Sequence, residues 1–215
     1  MEQLGAISGT SPDKKPSRLG IVACGALARE IGMIVKANKF EHIKVRYLPA
    51  KLHNSPREIP DAVGGALSEL TLECEQLFVA YGDCGTAGKL DVLLEQFGVT
   101  RLEGAHCYAF YAGLQEFEAL HEAEPGTFYV TDYLARQFDT LVYKPLGLDR
   151  HPELLEAYFG NYTRLLYLAQ SDDAGLEAKA RDAAKRLGLR FERINTGFGE
   201  LETGIRAAAL EEVAL

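Results

Sequence analysis

No two cysteines in this chain are spaced Cys-x-x-Cys. That absence removes the usual structural zinc site, in which one tight turn supplies two ligands. The four cysteines are irregularly spaced over 215 residues, and no secretory signal is recognisable ahead of them. This usage points to a reducing cytoplasm, with thiols free or metal-bound rather than paired. No apolar run approaches the roughly 18 residues that a membrane span requires, so no membrane partner is expected. Positive charge is scarce: 23 Lys and Arg stand against 31 Asp and Glu, a net charge of -8. A nucleic acid held through its phosphate backbone is thereby disfavoured, since that needs a basic surface.

Two further motifs fail on spacing. GDCGTAGKL has a Gly-Lys pair but lacks both the glycine spacing and the Ser/Thr of a nucleotide-binding loop. A cysteine phosphatase needs five residues between cysteine and arginine, whereas Cys24 and Arg29 have four, and Cys84 has no nearby downstream arginine.

What is present reads as one α/β domain over 18–215, behind a polar Gly-, Ser- and Pro-containing leader at 1–17 that is expected to be flexible. Apolar runs (LGIVA, HIKVRYL, QLFVAY, VTRLEG, RLLYLAQ, LRFERIN) alternate with amphipathic helical stretches. The pattern predicts mostly parallel sheet with helices on both faces, a Rossmann-like fold with loose internal βαβα repeats at 18–74, 76–120 and 163–213. A helical insertion is expected at about 126–160, its opening GTFYVTDYLARQF reading as a strand or turn that enters a helix. Gly98 is expected to cap the helix that ends at Phe97.

Cys24, Cys84 and Cys107 each fall at or just past the end of an apolar run, in GIVACGALAREI, LFVAYGDCGTAGKLD and RLEGAHCYAFYAG. The C-terminal ends of parallel strands open onto a common crevice, so three thiols distant in sequence are expected to converge there. Cys24 directly precedes a predicted helix, whose free amides and dipole would favour the thiolate. Around Cys84, Gly82, Gly85 and Gly88 would let backbone approach a ligand, Gly25 beside Cys24 is a further candidate for ligand binding, and Thr86 is a candidate ligand-binding residue and helix cap. Asp83 and Tyr81 are candidate catalytic groups, and Tyr108 a candidate wall of the ligand site. His53 and His106 occupy matched loops and are candidate ligands. Cys74, between Glu73 and Glu75 near a predicted helix end, is read as structural or exposed. For each of these residues the plainer reading is a core or turn position.

The segments VACGALAREI, LPAKLHNSPREIPDAV, VAYGDCGTAGKLD, GAHCYAFYAG and KPLGLDRHPEL resemble an uncharacterised domain family. That family is often encoded beside corrinoid-dependent methyltransferases for methylamines and their reductive activators. The resemblance runs from about Arg18 to Glu202. It implies a setting in one-carbon or methylamine metabolism, with a corrinoid protein, methyltransferase or reductive activator as partner. The YGDC stretch is also similar to the cysteine loop of diphthamide-synthesis enzymes, whose three cysteines hold a 4Fe–4S cluster. The chain departs from them in having Gln170-Ser171 where the third repeat would carry a cysteine.

The leading expectation is a metal centre held by Cys24, Cys84 and Cys107, with His53 or His106 as a fourth ligand and a small molecule in the crevice. Soft thiolates suit an iron–sulfur cluster or zinc, and the resemblance favours the 4Fe–4S cluster. Its role would be redox or methyl-group chemistry. Two alternatives remain open: a metal-independent racemase-like enzyme with two facing thiols, and a non-catalytic module that binds a cofactor or protein.

Overall fold

The computed structural model describes residues 17–210. The leader expected over 1–17 lies outside the described residues, except for Ser17, which opens the first strand.

The first half of the chain builds β1 (Ser17–Cys24), α1 (Ala28–Ala37), β2 (Ile43–Leu48), α2 (Ile59–Leu70), β3 (Cys74–Ala80), α3 (Lys89–Phe97), β4 (Thr100–Arg101), α4 (Cys107–Ala112) and α5 (Leu114–Ala123). The second half adds β5 (Thr127–Thr131), α6 (Asp132–Phe138), α7 (Leu155–Phe159), β6 (Arg164–Ala169), α8 (Ala174–Leu187), β7 (Arg190–Asn195) and α9 (Gly199–Leu210). All strand pairings are parallel, in two sheets ordered β2-β1-β3-β4 and β5-β6-β7.

Both faces of each sheet are covered, which is why the inner strands are apolar along their whole length rather than alternating. On β1, Leu19, Ile21 and Ala23 face α1 and α9, while Val22 faces α2 and α3. On β6, Leu165 and Tyr167 pack against α6 and α8, while Leu166 and Leu168 meet Ala109 of α4 and Phe117 of α5. The chain therefore crosses between lobes twice. Helix α4 bridges the two, with Phe110 and Tyr111 in the first core and Ala109 in the second, and α5 covers the second sheet with Phe117. Helix α9 leaves the second sheet and returns to the first, burying Leu201, Ile205 and Ala209 there.

Three local expectations are corrected. The segment at 126–160 is not solely helical. Its TFYVT run, rich in β-branched and aromatic residues, forms β5 and pairs with β6 from Thr127↔Arg164 to Thr131↔Leu168. The helix expected to reach Cys74 stops at Leu70, and Cys74 opens β3 in register with Ser17. Parallel register puts Cys74 at the edge opposite the strand ends that carry the other thiols. Finally, His106-Cys107-Tyr108 is not a loop, since His106 is the extended residue before α4 and Cys107 is its first residue. Gly98 does cap α3, in the left-handed region at φ 63°.

The C-terminal edge of the second sheet is sealed by a buried carboxylate. Asp132, 2% exposed, accepts from the Tyr167 hydroxyl (2.6 Å), the Gln170 backbone N–H (3.1 Å) and the Ser171 hydroxyl (2.5 Å). Its own backbone N–H donates to Gln170 Oε1 at 2.8 Å. Gln170-Ser171, the position without a cysteine in the third repeat, thus belongs to a closed polar network.

Candidate functional site

Strand order reverses beside β1: β2 lies on one side of it and β3 on the other. Crevices at such reversals, outside the carboxyl ends of the strands, are the usual ligand sites of open α/β sheets. Cys24 ends β1, and Tyr81 and Cys84 follow β3, so they flank this point.

Glycine lets the loops close on one another. A Cβ on Gly82 would meet the Gly104 carbonyl at 3.1 Å and the His106 backbone at 3.2 Å. Hydrogen bonds from Asp83 N to Gly104 O (3.0 Å) and from Cys84 N to Ala105 O (2.8 Å) stitch the same two loops together. This juncture brings Cys84 beside Cys107. A Cβ on Gly25 would meet the Leu48 carbonyl at 2.8 Å, so glycine there lets the turn after Cys24 pack on the end of β2.

The three thiols open onto one cavity of about 470 Å³, which Tyr81, Gly82, Tyr108 and His53 also line. Its far wall comes from the second half of the chain: Phe128, Leu134, Leu141, Val142, Pro145 and Leu146. Sequence reasoning missed this wall. Its apolar residues carry no chemical signature, and only the fold brings them opposite the thiols. His53 stands at the rim, exposed, yet crowded enough that desolvation lowers its imidazole.

Several expected site residues have other duties. Asp83 does not line the cavity; its carboxylate accepts from Gly85 N, the Thr86 hydroxyl (2.6 Å), Ala87 N and Gly88 N (2.8 Å). Burial pushes that carboxyl up, but the hydrogen bonds from Thr86, Gly88, Ala87 and Gly85 outweigh it and hold it below the usual range. Asp83 and Thr86 therefore lock the turn that carries Cys84. Gly25 and Gly85 serve backbone geometry rather than ligand contact, Gly85 at φ +84° against Pro56. His106 lies behind Cys107 with its ring 6.1 Å from that of Tyr108, outside the cavity lining.

The thiols share an electrostatic environment. Burial raises Cys24, opposed first by the Ala26 backbone N–H and to a smaller extent by the polar Tyr81 hydroxyl that faces it. Burial likewise pushes Cys84 up to about 11, reinforced by the neighbouring Cys24. Cys107 is held well above its ordinary value by burial, then by Cys84 and Cys24. The helix-start effect expected to favour a Cys24 thiolate is thus overturned. A three-residue 3-10 turn, Gly25–Leu27, separates Cys24 from the start of α1, and desolvation is the larger force. The Tyr81 hydroxyl, raised chiefly by burial, faces Cys24 but makes no hydrogen bond of normal geometry.

Among the described residues, no group of three or more His, Cys, Asp and Glu side chains is gathered closely enough to hold a metal ion. The zinc set of cysteines with His53 or His106 therefore has no preassembled counterpart.

Comparison with known proteins adds one finding. A family model described as "Protein of unknown function (DUF1638)" matches residues 47–205. The chain belongs to that family. The DUF1638 match takes in His53, Tyr81, Cys84, Cys107 and the apolar far wall, and it begins after Cys24. No curated protein matches the chain. Among the described residues, no helix is long and apolar enough to cross a membrane.

Among the described residues, Cys84 is one of three non-glycine residues at positive φ, at +50°. Left-handed backbone costs a residue with a Cβ about 1 kcal/mol relative to glycine. Cys84→Gly is therefore expected to be more stable than Cys84→Ala by about 1 kcal/mol in urea denaturation. Equal stability would show that the turn carries no such strain.

Proposed function

We propose that the chain binds a 4Fe–4S cluster through Cys24, Cys84 and Cys107 at the crevice between its two sheets. One observation carries the reading: three thiols from separate elements share one cavity wall within electrostatic reach of each other. A single ion needs donors within about 2.3 Å of one point, a set these residues do not form. A cluster spreads three thiolates around a larger body, which suits ligands on a cavity wall. When bound, it supplies electron transfer and one iron without a cysteine ligand.

The electrostatics favour metal over thiol catalysis. Reactive thiols sit in electropositive surroundings that lower their pKa. Here all three are raised, and among the described residues no Lys or Arg lines the cavity. A coordinated metal centre deprotonates thiols through its own charge. The racemase-like alternative needs thiols facing each other from two halves, whereas these three all come from the half that builds the first sheet.

In this scheme Cys24, Cys84 and Cys107 hold the centre and Tyr81 offers its hydroxyl proton to a bound atom. The wall from Leu134 to Leu146 excludes water. The setting, redox or methyl-group chemistry beside corrinoid methyltransferases and activators, rests on the sequence resemblance, and its placement in the cytoplasm on the cysteine usage.

Anaerobic purification with iron and sulfide analysis tests the proposal. About four of each per chain are expected, falling at least severalfold in Cys24→Ser and Cys107→Ser. Folded protein that takes up neither iron nor sulfide under reconstitution would sink it.

A further inference from the structure

The cavity's charge inventory specifies what shares it with the thiols. Among the described residues that line it there is no Asp, Glu, Lys or Arg. The chain as a whole is about one quarter charged, so a site of this extent without a charged side chain is distinctive. A charged ligand brought here would lose its hydration with nothing of opposite sign to replace it. The opposite wall, Leu134, Leu141, Val142, Pro145 and Leu146, offers dispersion contacts instead.

Among the polar side chains of the lining, which include His53, Asn54, Tyr108 and Tyr133, Tyr81 has a fully buried hydroxyl oxygen without a partner. Tyr81 is 2% exposed, lines the cavity, and its hydroxyl has no hydrogen-bond partner of normal geometry. Buried hydroxyls in native proteins are nearly always satisfied, so an orphan hydroxyl on a cavity-lining residue, beside Cys24 on the same wall, points to a partner that arrives with the ligand. A phenol whose proton is free to rotate suits an acceptor such as a carbonyl or ether oxygen.

We infer that the small molecule bound here is uncharged and largely apolar, with one hydrogen-bond acceptor that meets the Tyr81 hydroxyl. This rests on the same cavity as the cluster reading but on different evidence. Iron and sulfide content reads that proposal and the experiment below reads this one, so either can fail alone.

Four probes of similar size are titrated by calorimetry into the purified full chain: acetophenone, toluene, benzoate and benzylammonium. Acetophenone is expected to bind with a Kd on the order of 1 mM or tighter. Benzoate and benzylammonium should bind at least about tenfold more weakly, because each carries an uncompensated charge. Tyr81→Phe should weaken acetophenone about fivefold and leave toluene unchanged. The toluene titration also reports whether the variant keeps an intact cavity. The inference is overturned if either charged probe matches acetophenone or if neither neutral probe binds. It is equally overturned if Tyr81→Phe leaves the acetophenone Kd unaltered.

Discussion

At pH 7 Cys84 should react with iodoacetamide about two orders of magnitude more slowly in the native chain than in the denatured one. Only the thiolate is nucleophilic, and burial raises this thiol to about 11 from an ordinary value near 8.5. The rate should climb about tenfold per pH unit and keep climbing past 8.5, where an ordinary thiol levels off. Mass spectrometry of the alkylated peptides follows each cysteine separately. A native Cys84 that reacts as fast as the denatured chain, or levels off near 8.5, would remove the electrostatic case for a metal centre. The sign for stability follows from the same shift. A folded-state value above the unfolded one means that this contribution is complete below about 8.5 and is lost as pH rises through about 11. Because the metal-free thiols are protonated, cluster uptake must release protons, and it should weaken as pH falls.

Asp132→Ala is expected to destabilise the chain by about 3–5 kcal/mol, the largest effect of any single change considered. The substitution deletes acceptors for the Tyr167 hydroxyl, the Gln170 N–H and the Ser171 hydroxyl, and Tyr167 is fully buried. Buried donors left without an acceptor suffer their full desolvation cost. Tyr167→Phe removes donor and leaves the other two bonds, so it should cost about 1 kcal/mol. Chemical denaturation with both variants separates the network from the single bond. A loss below about 1 kcal/mol for Asp132→Ala would mean that water replaces the carboxylate.

Much of this architecture is legible in the chain because the signals are local. LGIVA and RLLYLAQ are continuous apolar runs, as strands buried on both faces require, and Gly98 and Gly188 mark helix ends in the left-handed region. Parallel strands send their C-terminal ends the same way, so the apolar runs alone point Cys24, Cys84 and Cys107 toward one crevice. What stayed hidden depends on long-range context. The sequence of GDCGT has the same look whether Asp83 faces a ligand or folds back on its own turn, and the hydrogen bonds decide for the turn. Proximity of Cys24 to a helix start was readable, but the burial that overrides it comes from residues far along the chain. Glu30 is a related case. It sits in the first turn of α1 and is 3% exposed with one carboxylate oxygen unpartnered, a state that one acidic residue in ALAREIGMIV does not announce.

The return of α9 to the first sheet bears on how the chain reaches its native state. Leu201, Ile205 and Ala209 complete a core whose other members begin at Leu19 and include Ile31 and Ile34 of α1 and Phe110 of α4, so one face of the N-terminal lobe is only partly covered until α9 is available. Folding therefore cannot be completed lobe by lobe in order of synthesis. Contacts between residues almost 200 positions apart must close late and slowly. A chain cut between residues 125 and 126 would divide that core between two fragments, leaving the apolar face of α9 on one and its partners Leu19, Ile21 and Phe110 on the other.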